Sequence, residues 1–384
     1  MVRRVPIPSP EKTGDTMNGP GKQIRSRPVG YASDMRVVIV GATGNSGTAL
    51  LRRLRTEPDV EAIGIARRAP ENNGPYAGLE WHSVDVGRDD APRRLVRIFD
   101  GADAVVNLAW QIQPSHDARR LYRTNVLGSR TVFQAALRAG VATLVQASSV
   151  GVYAPGPKWA YVKETWLRTG IPESSYSRHK AMVERMLDEI ESDHPTLRVV
   201  RIRPGLIFQR DAGTEIGRYF AGPLVPVRLL RLGWVPLLPA NPGLRLQAVH
   251  ADDVADAYLR VLRADVRGAF NIAAEPVLDP ATLAREFHGI PVPVPGFALQ
   301  GAAALSWWLR LQPVDRGWVK LALKAPLMCC DRAAGELGWR PETDAVSALR
   351  EVVAGLAERA GRPESPPLRP GTSRSGLLRG RRDP

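Results

Sequence analysis

The run Met35–Val40 contains four consecutive apolar residues, Val37-Val38-Ile39-Val40. It passes without a spacer into Gly41-Ala42-Thr43-Gly44-Asn45-Ser46-Gly47, after which Thr48–Arg55 has helical character. No other feature narrows the folding options of this chain so far. A strand that ends in closely spaced glycines and restarts as a helix makes a tight turn and lets backbone approach a ligand. It also aims the free N–H groups of the helix N-terminus at an anion. The spacing is G-x-x-G-x-x-G, and its position between strand and helix points to a cradle for the pyrophosphate of a dinucleotide.

The rest of the chain repeats the alternation. Val60–Ile65, Leu79–Val84, Ala104–Leu108, Thr143–Ala147 and Leu197–Ile202 are short apolar or β-branched runs. Between and beyond them lie longer amphipathic stretches, among them Ala118–Arg138 and Ser175–Ile190. This pattern predicts an α/β fold, a Rossmann-type doubly wound parallel sheet with helices on both faces. From about Gly205 the rhythm breaks into Pro/Gly-punctuated loops, which predicts a smaller C-terminal substrate lobe. The expected organisation is a disordered N-terminal extension over 1–34, a dinucleotide-binding domain carrying the catalytic residues over 35–204, a substrate lobe interleaved with the sheet over 205–360, and a disordered basic tail over 361–384.

Charge and cysteine content restrict the function classes. Half of the formal net charge of +14 sits in the two tails: +3 in residues 1–34 and +4 in residues 361–384. The remainder is diffuse, and arginine outnumbers lysine 46 to 7, so no basic stripe marks a nucleic-acid partner. The two cysteines, Cys329 and Cys330, are adjacent and cannot cross-link distant segments, which favours a reducing, cytoplasmic compartment. No run of ~18 apolar residues is present, so no spanning helix is expected. Membrane-surface association through Trp307-Trp308 and the basic tails is the weaker reading. The histidines lack metal-ligand spacing, and no metal is expected.

The second strand ends in Ala66-Arg67-Arg68, where a dinucleotide fold usually carries an acid for the adenosine ribose. Arg67 and Arg68 suit a 2′-phosphate through charge-assisted hydrogen bonds, which favours NADP over NAD. Asp85, with Val86 beside it, ends the third strand within reach of an adenine amine.

Tyr176-Ser-Arg-His-Lys180 opens the Ser175–Ile190 helix. Residues four apart share a helical face, so the phenol and the ammonium project together. Two unit charges ~4 Å apart at an effective dielectric of ~20 interact by ~4 kcal/mol. That is about three pKa units, enough to bring a tyrosine near working pH as a general acid/base. Upstream, the strand Thr143–Ala147 ends in Ser148-Ser149, at the edge where an open α/β sheet presents its chemistry. A serine there can steady a substrate oxygen beside Tyr176. Asn125 is an amide in an apolar helical context.

Taken together, these segments resemble the extended short-chain dehydrogenases/reductases, the NAD-dependent epimerase/dehydratase family, over roughly Met35–Glu358. Gly41–Gly47 looks like the family's cofactor loop. Asp103-Ala-Val-Val-Asn-Leu108-Ala109 looks like the fourth strand, whose end passes beside the cofactor. Arg203-Pro204-Gly205 resembles the turn against the nicotinamide, and His250-Ala-Asp-Asp-Val-Ala255 and Leu337-Gly-Trp-Arg-Pro341 resemble downstream landmarks. The resemblance implies Ser149 as catalytic serine, Tyr176 as acid/base, Lys180 as the group that also holds the nicotinamide ribose, and Asn125 as the active-site asparagine that orders the site. It implies an NAD(P)-dependent oxidoreductase or epimerase acting on a sugar-like or apolar alcohol, and a homodimer. A non-catalytic dinucleotide sensor or scaffold is the alternative. Family sugar 4,6-dehydratases carry an Asp-Glu pair after the hydroxyl residue, whereas Val150-Gly151 stand here, which argues against elimination. Trp234, Trp307, Trp308 and Trp318 suit either core packing or the wall of an apolar pocket.

Overall fold

The structure, a computed structural model, describes residues 35–112, 117–221, 234–308 and 314–370. The expected disorder of residues 1–34 and 371–384 lies outside the described residues.

Seven strands form one all-parallel sheet: β1 (Met35–Val40), β2 (Val60–Ala66), β3 (Glu80–Ser83), β4 (Ala104–Asn107), β5 (Thr143–Ala147), β7 (Arg198–Pro204) and β11 (Gly268–Ile272), with β6 (Tyr161–Val162) outside it. The spatial order is β11-β7-β5-β4-β1-β2-β3. The chain runs from β1 outward to β3 and then returns to the other side of β1 with β4. That reversal opens a crevice beyond the carboxyl ends of β1 and β4, where α/β sheets bind ligands.

Both faces of the sheet are covered, and for this reason β1 reads as an unbroken apolar run. Val37 and Ile39 pack with α1 (Asn45–Leu54) and α7 (Ala251–Arg263), while Val38 and Val40 face α2 (Ala91–Phe99) and α4 (Gly128–Ala139). The Ala118–Arg138 stretch is helical but not uniform. A first piece, α3 (Ala118–Tyr122), passes through a π-helical turn, Arg123–Leu127, before α4. A π-turn inserts an extra residue into the helical ladder and marks functional positions often.

After β7 the chain builds the smaller lobe. β8 (Leu206–Phe208), β10 (Leu246–His250) and β12 (Ala274–Leu278) form a three-stranded sheet, and β9 (Leu237–Ala240) pairs with β13 (Ile290–Pro293). Helices α6 (Gly213–Ile216), α8 (Pro280–Glu286), α9 (Gly296–Trp308), α10 (Arg316–Lys324), α11 (Asp331–Leu337) and α12 (Ala345–Glu358) complete it, and β14 (Leu327–Met328) pairs with β6. Helix α5 (Ser175–Asp193) belongs to the sheet domain. The downstream landmarks meet here. Trp339 is fully buried and its indole N–H donates to the Asp253 carbonyl (2.8 Å), while the Asp253 carboxylate accepts the N–H groups of Glu342 and Thr343.

The tail expectation needs a correction. Residues 361–370 fold back across the sheet domain, with Ser365 and Leu368 fully buried. The Ser365 hydroxyl donates to the Thr43 carbonyl (2.8 Å), the Glu364 carbonyl accepts from Glu71 N–H (3.1 Å), and Arg362 pairs with Asp211 (2.7 Å). One well-placed leucine and one serine anchor a segment whose Pro/Arg-rich composition reads as unstructured.

Candidate active site

The crevice at the β1/β4 switch is lined by the glycine loop. Gly41 has φ +87°, and a Cβ on it would lie 2.7 Å from the Ala109 nitrogen; one on Gly47 would lie 2.6 Å from the Ala42 carbonyl. Both positions require glycine. Gly44 differs, since a Cβ there would meet only the Gly41 oxygen at 3.5 Å. Its missing side chain leaves space in the crevice instead of relieving a clash. Gly44 also caps α1, with no side-chain acceptor and no acid in the first turn, so the free N–H groups of α1 remain available to an anion.

Of the expected cofactor residues, Gly41, Thr43, Gly44, Arg67, Val86, Leu108 and Ala109 line the crevice. The others stand back from it. The Asn45 amide donates to the Ile207 carbonyl (3.2 Å), Ser46 sits on the first turn of α1, and Gly47 packs on Ala42. Arg68 is exposed, Asp85 accepts the Gly87 N–H (3.0 Å), and Pro204 is buried at the end of β7. Arg67 is a cation at the crevice mouth with no hydrogen bond or ion pair to its guanidinium among the described residues. Desolvation lowers its pKa, the nearby Asp85 carboxylate opposes this, and the like charges of Arg120 and Arg68 lower it further. A guanidinium with no hydrogen-bonded partner at the mouth of a groove fits an anionic ligand.

Ser149, Tyr176 and Lys180 converge at the carboxyl end of β5. The Ser149 hydroxyl caps the following turn by accepting the Gly151 N–H (3.0 Å), and its proximity favours ionisation of the Tyr176 phenol. Gly151 carries no side chain because a Cβ would lie 2.8 Å from the Tyr176 ring. The phenol ring is walled by Trp318 (centroids 5.0 Å apart) and by Trp110 (6.0 Å, edge-on). Lys180 Nζ donates to the Ala147 carbonyl (2.7 Å) and lies over the Trp110 ring.

The expected acidification of Tyr176 by Lys180 does not occur in this arrangement. Burial raises the phenol to about 12, with the Ser149 hydroxyl opposing. Burial also lowers Lys180 to about 7, with the Glu184 carboxylate opposing. Between aromatic walls, desolvation of each charged form dominates both shifts. Tyr176 is therefore held protonated at neutral pH, and Lys180 titrates there.

Asn125, expected to order the site, acts through the backbone of the loop after β4. Its amide is spent on one backbone: Oδ1 accepts the Gln111 N–H (2.7 Å) and Nδ2 donates to the Gln111 carbonyl (2.9 Å). It is a positioning residue that fixes the loop after β4 and is not free to touch a reacting group. That loop carries two crevice residues missed in the sequence, Trp110 and Gln111. The Gln111 amide is buried with neither end partnered among the described residues, as is the Trp110 indole N–H. Buried unpaired polar groups on a groove wall point to a ligand. Their signal was their place directly after Ala109. Glu215, Tyr219 and Pro367 also line the crevice, brought there from distant parts of the chain with no local motif.

Behind the site, a buried ionic network holds β5, α5 and β7 in register. Glu184 accepts two hydrogen bonds from Arg203 and one from Ser148. Arg203 also donates to the Tyr153 hydroxyl (2.9 Å), which donates to Asn271 (2.6 Å). The paired guanidinium holds Glu184 below the usual carboxylate range against the opposing effect of burial.

Comparison with known proteins agrees with this geometry. The NAD dependent epimerase/dehydratase family matches residues 37–273. An uncharacterised protein of Mycobacterium tuberculosis is 27% identical over 330 residues, covering 83% of each chain. A UDP-glucose 4-epimerase of Azospirillum brasilense is 27% identical over 249 residues, 60% of this chain and 69% of that one. The crystal structure of Thermus thermophilus UDP-glucose 4-epimerase with NAD superposes with a TM-score of 0.61 at 20% identity, covering 84% of this chain and 99% of that one.

Proposed function

The chain belongs to the NAD-dependent epimerase/dehydratase family, and from that premise we propose that it exchanges a hydride between a nicotinamide dinucleotide, NADP in preference to NAD, and a carbinol or carbonyl carbon of a small-molecule substrate. The convergence of Ser149, Tyr176 and Lys180 at the carboxyl end of β5, separated from the glycine-lined crevice by the Trp110 indole that lines it, supports this reading.

When bound, the nicotinamide supplies the hydride donor or acceptor. The cradle that would hold it comprises the Gly41–Gly44 turn and the α1 N-terminus, with Arg67 available to a 2′-phosphate. Ser149 donates a hydrogen bond to the substrate oxygen, and Tyr176 moves the proton to or from that oxygen. A phenol kept protonated by burial acts as the general acid, which favours reduction of a carbonyl over oxidation of an alcohol. Lys180, titrating near neutrality, is suited to resupply the proton.

Purified protein assayed with and without added nucleotide tests the reading. A reductase consumes NADPH in proportion to substrate, whereas an epimerase retains its nucleotide and shows no net turnover of it. Tyr176→Phe is expected to cost about 10²–10⁴ in turnover while leaving nucleotide affinity unchanged. Retention of the full cellular effect by this variant would favour a nucleotide sensor instead.

A further inference from the structure

The sequence contains two long stretches without a carboxylate side chain, from Ile216 to Ala251 and from Phe287 to Val314. The fold brings them together. Strand β13 pairs in parallel with β9, Ile290 beside Leu237 and Pro293 beside Ala240, and α9 begins three residues later. Leu237, Ile290 and Val292 are exposed on the strands. Helix α9, Gly-Phe-Ala-Leu-Gln-Gly-Ala-Ala-Ala-Leu-Ser-Trp-Trp, has no charged residue and none that is buried. Phe297 is 78%, Leu305 58% and Trp308 73% exposed.

A helix apolar on every side belongs in a protein core or in lipid. Thirteen residues rise only about 20 Å, too short to span a bilayer but of the length found in interfacial segments. We propose that the β9–β13–α9 surface is a membrane-docking face that seats in the headgroup region of an anionic phospholipid bilayer.

Charge and hydrogen-bonding chemistry select that partner. The first acid after α9, Asp315, is consumed in capping α10 through the N–H groups of Gly317 and Trp318. Beyond it come Arg316, Lys320 and Lys324, with Glu173 shared between the two lysines. Three cations thus stand against two carboxylates beside α9, a small positive excess, and an apolar face with a positive edge suits a peripheral contact with anionic lipid. A protein partner fits less well. The strands carry Pro239, Pro291 and Pro293, which remove the N–H donors that strand addition needs. On α9 the hydrogen-bonding side chains are Gln300, Ser306 and the Trp307 and Trp308 indoles, and the Ser306 hydroxyl already donates to the Ala302 carbonyl within its own helix (2.7 Å). A protein interface normally requires about one hydrogen bond per 100–200 Å².

Flotation of the full chain with phosphatidylcholine vesicles, with and without phosphatidylglycerol, tests the proposal independently of any catalytic assay. The chain is expected to float with the anionic vesicles. The Phe297→Ser/Leu305→Ser/Trp308→Ser variant is expected to lose at least ~tenfold in partitioning while still binding nucleotide. Replacing Arg374, Arg379, Arg381 and Arg382 by Gln should change partitioning by no more than about twofold, because the apolar face supplies most of the contact. Should the serine variant not fold, quenching of the unaltered chain's tryptophan fluorescence by brominated lipid gives the same answer. Absence of flotation, unchanged flotation of the serine variant, loss of flotation with the tail arginines, no brominated-lipid quenching, or a concentration-dependent dimer abolished by the serine variant would each overturn it.

Discussion

The ammonium of Lys180 lies 3.6 Å from the centroid of the Trp110 ring. The indole thus stands between the nucleotide crevice, which it lines, and the Tyr176 phenol, which it touches edge-on. For a nicotinamide to reach Tyr176 the indole must turn aside and release Lys180. A cation–π contact in a desolvated site contributes about 2 kcal/mol, which is the order of the cost this imposes on binding.

Trp110→Ala is accordingly expected to bind nucleotide roughly ten- to thirtyfold more tightly than the unaltered chain, with a lower melting temperature in the absence of nucleotide. Calorimetric titration and thermal denaturation measure the two effects. Weaker binding by the variant would mean that the indole stacks on the ligand and does not have to make way for it.

Arg67→Ala separates the two dinucleotides. A charge-assisted hydrogen bond contributes about 1.5–3 kcal/mol, so NADPH affinity is expected to fall by roughly ten- to a hundredfold while NADH affinity moves little. Equal losses for both would assign Arg67 to the pyrophosphate.

The crevice was legible in the sequence because its makers are contiguous. The turn from Val40 to Gly47 is one segment, and strand, glycine spacing and helix all announce it. Tyr176 and Lys180 were legible because one helical turn separates them. Their electrostatics were not, because the charge each carries depends on Trp110 and Trp318, which approach from two other segments. Asn125 was legible as a residue that orders the site, but its partner was not, since a π-turn, invisible to an apolar pattern, directs it at Gln111. The 361–370 segment was misjudged for a related reason. Its burial rests on isolated side chains docking on a surface built elsewhere, and periodicity carries no trace of that.

That segment makes its own prediction. Leu368 is fully buried and Pro367 lines the crevice, so Leu368→Ala is expected to lower unfolding free energy by about 2–5 kcal/mol and to weaken nucleotide binding. Arg369→Ala, an exposed neighbour, should do neither. Denaturant titration and nucleotide affinity report the contrast.

Glu184→Gln breaks the buried pair with Arg203 and strands a guanidinium in the interior. The expected cost is about 3–5 kcal/mol. Adding Arg203→Met to it should restore part of the loss, because the second change removes the stranded charge. No restoration would mean that the other partners of Arg203, Tyr153 and the Glu164 carbonyl, matter more than the ion pair.

Glu215 gives the fold a pH dependence with a definite sign. Burial raises its pKa to about 7, against Arg218 and the Tyr219 hydroxyl, which lower it. A carboxyl whose pKa is raised by folding binds its proton more tightly folded than unfolded. Its contribution is therefore complete below the unfolded value of 4.5 and is lost as pH rises through about 7. Solvent reaches part of the side chain, so the loss should be of the order of 2 kcal/mol, below the ~3 kcal/mol that the full shift represents. Urea unfolding at a series of pH values should show stability falling across that window, and Glu215→Gln should flatten the fall. Because Glu215 lines the crevice, its ionisation also places a negative charge beside an anionic ligand. Nucleotide affinity should drop over the same window and lose that drop in the glutamine variant. A stability curve that keeps its slope in Glu215→Gln would place the titrating group elsewhere.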